Sequence, residues 1–164
     1  MTRTKGPITA VIATVIVAFA LVGLAWATSG SGTSSMLVGP PATYDPFKVK
    51  RQGINDWEVE IEAPRGVALA TQTIMFQPDG YSGWHSHPGP VFIGVKEGTM
   101  TFYEDDCSAR VVTAGEGFLD QGDQPHFARN EGPVVATTVV TYFIPPNTTR
   151  LRIEEPQPLS CAIP

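Results

Sequence analysis

The chain has 164 residues, which is enough for one domain once an apolar N-terminal segment is set aside. Its 11 Lys and Arg residues face 16 Asp and Glu residues, which gives a formal net charge of −5 at pH 7. A balance this acidic argues against nucleic acid as a partner and against adhesion to anionic lipid headgroups. It favours a neutral or cationic small-molecule ligand, or an anion that is bound through a metal.

The N-terminal segment, residues 1–27, contains an uncharged and almost wholly apolar run over 8–27, preceded by Arg3 and Lys5. A run of this length can cross a bilayer as a helix, and its basic end predicts that the following domain lies outside the cytoplasm. The run ends in Ala25-Trp26-Ala27, which also fits a signal-peptide cleavage site. Its length favours a membrane anchor, whereas cleavage after Ala27 would give a secreted domain. Both interpretations predict export.

Residues 28–45 begin with a Gly, Ser and Thr tract and carry no charge before Asp45, which predicts a flexible linker. Over 46–164, β-branched and aromatic runs are separated by Gly and Pro turns. In 57–62, Trp57, Val59 and Ile61 alternate with glutamates, so we expect these three side chains to face a core. Further strands are expected at 67–76, 91–95, 99–103, 110–113, 118–120, 134–144 and 151–153. This pattern predicts an all-β sandwich or small barrel.

The chain has three histidines, His85, His87 and His126. Strand side chains alternate between faces, so a His-x-His pair in a strand places both imidazoles on one face. A third imidazole from a neighbouring strand would complete a three-nitrogen site for one metal ion. Such a site leaves coordination positions open, as in reactive or ligand-binding metal centres.

The spacing of these histidines resembles the two motifs of the cupin family. In the first motif His85, His87 and Gly98 match, Gly80 lies one residue from its expected position, and Val91 (or Phe92) stands where a glutamate is usual. In the second motif Gly115, His126 and Asn130 match, while Gln121 and Asp123 replace a proline and a glycine. The resemblance covers 46–164 and implies a cupin small β-barrel (a double-stranded β-helix, or jelly roll). The stretches 83–91, 98–101 and 126–132 are also similar to exported bacterial cupin-domain proteins of unassigned activity.

The resemblance implies one divalent metal ion, which could be Fe, Zn, Cu, Mn or Ni. Without the glutamate, three neutral imidazoles leave the +2 charge uncompensated, which makes the ion a harder Lewis acid and a better anion binder. Three-histidine iron occurs in the thiol dioxygenases, which are also cupins, so the missing carboxylate does not exclude catalysis. Three-histidine zinc fits the ligands equally well.

Asp120 is one possible substitute for the missing carboxylate. In 117–120, Phe118 and Asp120 share a face by alternation, and that face should be the barrel interior. Asp120 could accept a hydrogen bond from a histidine N–H or act as a catalytic base toward a bound substrate. Equally, it could only cap the turn that leads to His126.

Cys107 and Cys161 are the two cysteines of the chain. In an oxidising, exported setting an even pair most simply forms one disulfide. Its loop of roughly 55 residues would contribute about 4 kcal/mol in the chain-entropy model. Free thiols or thiolate metal ligands are the alternatives, and the distance from the histidines in sequence disfavours the latter.

Two functional classes are compatible with these residues. The first is a metal-dependent oxidoreductase, dioxygenase-like enzyme or isomerase that acts on a small oxygenated or thiol compound. The second is a non-catalytic extracytoplasmic module that binds a metal or small molecule, or a barrel without metal. The family resemblance also suggests a homodimer formed through residues 46–62.

Overall fold

The computed structural model describes residues 29–163, and every regular element in that range is a β-strand, which confirms the all-β class. No helix within these residues is long and apolar enough to cross a membrane. The predicted N-terminal helix, as anchor or signal peptide, lies outside the described residues. The strands are β1 Ser31–Leu37, β2 Ala42–Tyr44, β3 Phe47–Gln52, β4 Glu58–Ala63, β5 Val67–Tyr81, β6 His85–Ser86, β7 Val91–Glu97, β8 Thr99–Glu104, β9 Ala109–Thr113, β10 Gly117–Asp120, β11 His126–Arg129, β12 Ala136–Ile144 and β13 Ile153–Glu154.

The strands form a nearly closed barrel around β5, which is 15 residues long. Along one edge of β5 runs the antiparallel strand β12, followed by β7 and then β10. β1 and β2 pair with the other edge of β5. At the C-terminal end of β5, Tyr81 pairs with Arg129 of β11, which connects this half to β8, β9, β6 and β13.

Apolar side chains from alternate strand positions fill the barrel interior, where Val91, Met100 and Ile144 are almost completely buried. A second, smaller cluster forms around Trp84, Phe127 and Cys161. Cys161 is bonded to Cys107, with their Cα atoms 4.9 Å apart, so the predicted disulfide is present. It attaches the C-terminal segment to the turn between β8 and β9.

The N-terminal part of the barrel differs from the predicted linker over 28–45. Thr33 to Leu37 in β1 pair residue by residue with Phe76 to Gln72 in β5, and 42–44 pair with 67–69. The small polar side chains are exposed, but strand pairing uses only backbone groups and is compatible with that composition. The described sheet therefore begins at Ser31 and not at residue 46.

The predicted core face of 57–62 also differs, because β3 and β4 pair only with each other in a separate two-stranded sheet. Trp57 is 57% exposed and Ile61 is 40% exposed. On the opposite face, Lys48 Nζ lies 2.7 Å from Glu60 and 2.8 Å from Glu62. Alternation predicts a strand with an apolar face, but it does not tell whether another part of the chain covers that face.

Candidate metal centre

The three histidines meet inside the barrel on adjoining strands. His85 in β6 pairs directly with His126 in β11, and His87 follows β6 with its backbone N–H donating to Gly122 O at 2.7 Å. All three side chains are buried, and one potential ligand atom from each lies within 4.8 Å of the others. The ring centroids are 4.3–5.0 Å apart. The three imidazoles therefore lie close together, and their shared role as metal ligands stays a prediction.

A backbone carbonyl orients each ring. His87 Nδ1 lies 2.6 Å from Leu151 O, His85 Nδ1 2.9 Å from Gly83 O, and His126 Nδ1 3.3 Å from Gln124 O. A carbonyl oxygen can only accept a hydrogen bond, so each Nδ1 carries the hydrogen and each Nε2 keeps a free lone pair. This arrangement is typical of metal-binding histidines, whose second nitrogen is held by an acceptor.

The surroundings keep two of these rings neutral at neutral pH. Burial, together with His126, Arg152 and His87, holds the pKa of His85 well below its usual value. Burial and His126 lower the pKa of His87 to about 4, although the hydrogen bond to Leu151 O opposes this shift. Neutral imidazole is the form that binds a metal ion, so no proton has to be displaced at pH 7.

Asp120 ends β10 beside the histidines, and its two oxygens have different surroundings. Oδ1 accepts a hydrogen bond from Gly122 N at 2.7 Å, which is the predicted turn cap. Oδ2 is buried, accepts no hydrogen bond from the described residues, and lies 3.3 Å from His126 Nδ1 and 3.8 Å from His87 Nε2. The cap and the orientation toward the histidines therefore coexist. The proposed role of Asp120 as a catalytic base stays a prediction.

A cavity of about 280 Å³ opens beside the histidines. Its wall includes Gln72 and Tyr142, whose side chains form a short hydrogen bond with each other. Burial raises the pKa of Tyr142 to about 12, so its hydroxyl keeps its hydrogen at neutral pH. Most of the remaining wall is apolar and includes Ile74, Phe76, Phe102, Ile93, Val140 and Leu151. The cavity suits a small molecule with a polar, metal-binding end and an apolar body.

The C-terminal segment closes one side of the centre. Ile153 and Glu154 of β13 pair with Ser86 and His85, and the Ser86 hydroxyl donates to Glu155 Oε1 at 2.7 Å. Arg152 lines the cavity, donates to Ser82 O at 3.1 Å and is paired with Glu154.

The sequence predicted the three histidines but not Gln72, Tyr142 or Arg152, which also border the cavity. Gln72 and Tyr142 are polar residues within two β-branched runs, and a polar residue at an interior strand position is the one signal that could have identified them. Arg152 carries no comparable signal, because its place depends on how the C-terminal segment folds back.

The described donor atoms fit a divalent metal ion. One ring nitrogen from each histidine lies within 4.8 Å of the others, the Nδ1 atoms are hydrogen-bonded to carbonyls, and an unsatisfied carboxylate oxygen lies beside them. Nitrogen and oxygen donors of this kind suit zinc, iron, copper, manganese and nickel.

Comparison with solved structures identifies several similar β-barrels. An oxalate oxidase in complex with the substrate analogue glycolate is 29% identical over 48% of this chain and 43% of that chain, with a TM-score of 0.42. The cupin domain of an XRE family transcriptional regulator from Enterobacter cloacae is 15% identical over 71% of this chain and 99% of that chain, with a TM-score of 0.48. A double-stranded β-helix protein from Klebsiella pneumoniae subsp. pneumoniae is 19% identical over 68% of this chain and 86% of that chain, with a TM-score of 0.46. The chain spans less than half of the oxalate oxidase that it matches.

Among sequences, no curated protein matches the chain. The sequence profile of the Cupin domain family matches residues 72–142, which include the three histidines and Asp120. The match over residues 72–142 supports membership of the cupin superfamily.

Proposed function

We propose that the barrel binds one divalent metal ion through Nε2 of His85, His87 and His126, and that this centre acts on or recognises a small molecule in the adjoining cavity. The observation that carries the proposal is the state of the three rings. Each is buried, each has its Nδ1 hydrogen bonded to a carbonyl, and their ligand atoms converge. Burying three imidazoles around one point is costly unless a ligand uses their lone pairs.

As an enzyme, the protein would be a metal-dependent oxidoreductase, dioxygenase-like or an isomerase, with a small oxygenated or thiol substrate. A bound metal supplies Lewis acidity, and a redox-active one also supplies electron transfer. The chain's own groups would orient the substrate: the Tyr142 hydroxyl and Gln72 amide offer hydrogen bonds on one wall. Asp120 would accept a proton from the substrate as a base.

A non-catalytic binding module is the second candidate. Val91, at the position of the missing glutamate, is fully buried in the hydrophobic core. Arg152, a cationic residue of the cavity wall, is already paired with Glu154. A site with few free charged groups favours binding of a neutral ligand over proton transfer.

Elemental analysis of the purified full chain tests the metal proposal, with His126→Ala and Tyr142→Phe beside the wild type. We expect about one equivalent of one metal in the wild type and in Tyr142→Phe, which lines the cavity without offering a ligand. His126→Ala should lose it. Equal metal content in wild type and His126→Ala, or none after reconstitution with divalent ions, would refute the three-histidine site. If the metal is iron or copper, the next assay measures oxygen consumption. If it is zinc, the next assays are binding and hydrolysis screens.

We also propose that residues 1–27 export the domain and tether it to the membrane, or release it if they are cleaved after Ala27. The Cys107–Cys161 disulfide supports this, because structural disulfides are typical of oxidising compartments. Cell fractionation with N-terminal sequencing distinguishes a tethered chain from a secreted one. Recovery of the protein in the cytosol with free thiols would contradict export.

A homodimer remains a separate proposal. The half-exposed apolar face of the β3–β4 hairpin, which includes Val49 and Ile61, supports it. Light scattering of the full chain and of Val49→Lys measures the oligomeric state. A monomeric wild type would contradict the homodimer.

A further inference from the structure

Asp120 lies directly across the sheet from Val91. The two residues are Cα partners in the antiparallel pairing of β10 with β7. Side chains of directly paired residues project to the same face, with Cβ atoms about 4.5–5.5 Å apart. Val91 projects into the barrel, where it is completely buried. Asp120 therefore presents its carboxylate to the same interior face, one strand away from the position where the first motif usually has a glutamate.

The carboxylate reaches the histidines. Asp120 Oδ2 lies 3.8 Å from His87 Nε2 and 3.3 Å from His126 Nδ1, and the Asp120 side chain is 11% exposed. Donor atoms that share one first-row metal ion lie roughly 3–4 Å apart, given bond lengths of about 2.0–2.2 Å. Oδ2 is therefore at a distance from His87 Nε2 that two ligands of one ion would have.

The hydrogen-bond pattern favours a cation between these atoms. His87 Nδ1 donates to Leu151 O, so Nε2 faces Oδ2 with a lone pair and not with a hydrogen. Two lone-pair acceptors at this distance repel each other in a buried site, and an unpaired buried carboxylate is costly. The nearer nitrogen, His126 Nδ1, has its hydrogen bonded to Gln124 O. Oδ2 thus accepts no hydrogen bond from the described residues.

We propose that Asp120 is a fourth, anionic ligand of the metal ion that the three histidines bind. This inference rests on the proposed metal site, and it replaces the role of catalytic base that Asp120 has in the proposed enzyme. One carboxylate would lower the formal charge of the centre from +2 to +1, so the bound ion would attract anions less strongly than a three-histidine centre. Its position on β10 also couples the centre to the turn at Gly122, whose N–H holds the other oxygen of the same carboxylate.

Cobalt titration of the full chain and of Asp120→Asn tests the assignment. Asparagine keeps an oxygen for the Gly122 N–H but loses the charge, and Asp123→Asn, an exposed carboxylate in the following loop, is the matched control. If Asp120 is a ligand, Asp120→Asn should raise the cobalt dissociation constant by more than about 100-fold and shift the visible d–d bands. Removing a group that only orients a ligand typically costs about 10–100-fold and leaves the coordination number unchanged. Asp123→Asn should match the wild type.

A measurement on the unmodified protein covers the case in which Asp120→Asn does not fold. The infrared difference spectrum of the wild type with and without zinc should show a shifted carboxylate stretch. An unchanged carboxylate band, or unshifted cobalt bands in a folded Asp120→Asn, would overturn the assignment of Asp120 while leaving the three-histidine site intact. Failure of the wild type to bind cobalt or zinc would instead refute the proposed metal site itself, and this inference with it.

Discussion

The carbonyl oxygen of Leu151 lies 2.6 Å from Nδ1 of His87, although the two residues are 64 positions apart in the chain. This hydrogen bond fixes the tautomer of His87 and the direction of its Nε2 lone pair. The segment that carries Leu151 continues through β13, which pairs with His85 and Ser86, to Cys161 in the disulfide. The orientation of the histidine pair therefore depends on how firmly the C-terminal segment is attached.

Reduction of the disulfide should lower both stability and metal affinity. The bond closes a loop of 54 residues, for which the chain-entropy model gives about 4 kcal/mol of unfolding free energy. Chemical unfolding under oxidising and reducing conditions measures the first effect, and metal titration measures the second. The Cys107→Ser/Cys161→Ser double variant is the control, because added reductant should not change it. Equal metal affinity in oxidised and reduced protein would show that the C-terminal segment holds His87 without the disulfide.

The metal-free barrel should lose stability as the pH falls below about 6.5. The pKa values of His85 and His87 are lowered in the folded protein, so between about pH 6.5 and 4 only the unfolded chain binds these protons. Each such proton lowers the free energy of unfolding by about 1.4 kcal/mol for every pH unit below about 6.5. Above about pH 6.5 these two histidines no longer change the free energy of unfolding with pH. Urea unfolding in EDTA from pH 7.5 to 5 measures the slope. His87→Gln should show a shallower slope than the wild type, and a flat profile for the wild type would contradict the prediction.

Tyr142→Phe should destabilise the protein by about 1 kcal/mol, because Gln72 loses its partner inside the cavity. The double variant Gln72→Met/Tyr142→Phe should cost less than the sum of the single variants, since it removes both polar groups. Unfolding of the wild type, the two single variants Gln72→Met and Tyr142→Phe, and the double variant gives the coupling energy between the two side chains. Strict additivity would mean that the Gln72–Tyr142 hydrogen bond contributes nothing to folding.

Two tryptophans should respond very differently to truncation. Trp84 has no exposed surface and packs against Phe127, so Trp84→Ala should cost about 3–5 kcal/mol. Trp57 is 57% exposed in the connection between β3 and β4, so Trp57→Ala should cost less than about 0.5 kcal/mol. Thermal unfolding of both variants measures the difference. A large loss for Trp57→Ala would show that a partner or a second copy covers the hairpin.

The sequence predicted the all-β class, most strands, the disulfide pair and the convergence of the three histidines. These features depend on local alternation and on motif spacing, which a single chain displays directly. It did not predict that 31–37 form a strand or that Trp57 is exposed, because both depend on whether a distant surface is available for pairing. Gln72, Tyr142 and Arg152 were missed for the same reason: strands that are far apart in sequence bring them to one cavity.

The hydrogen bond between Leu151 and His87 also imposes an order of assembly. Leu151 is synthesised 64 residues after His87, so the His87 ring has no fixed orientation while the chain is still emerging from the ribosome. The disulfide that secures this segment can form only once Cys161, ten residues further along the chain, has also been synthesised. The proposed metal ion, if it requires the oriented ring, would therefore be acquired after translation, from the ions available in the compartment where folding finishes.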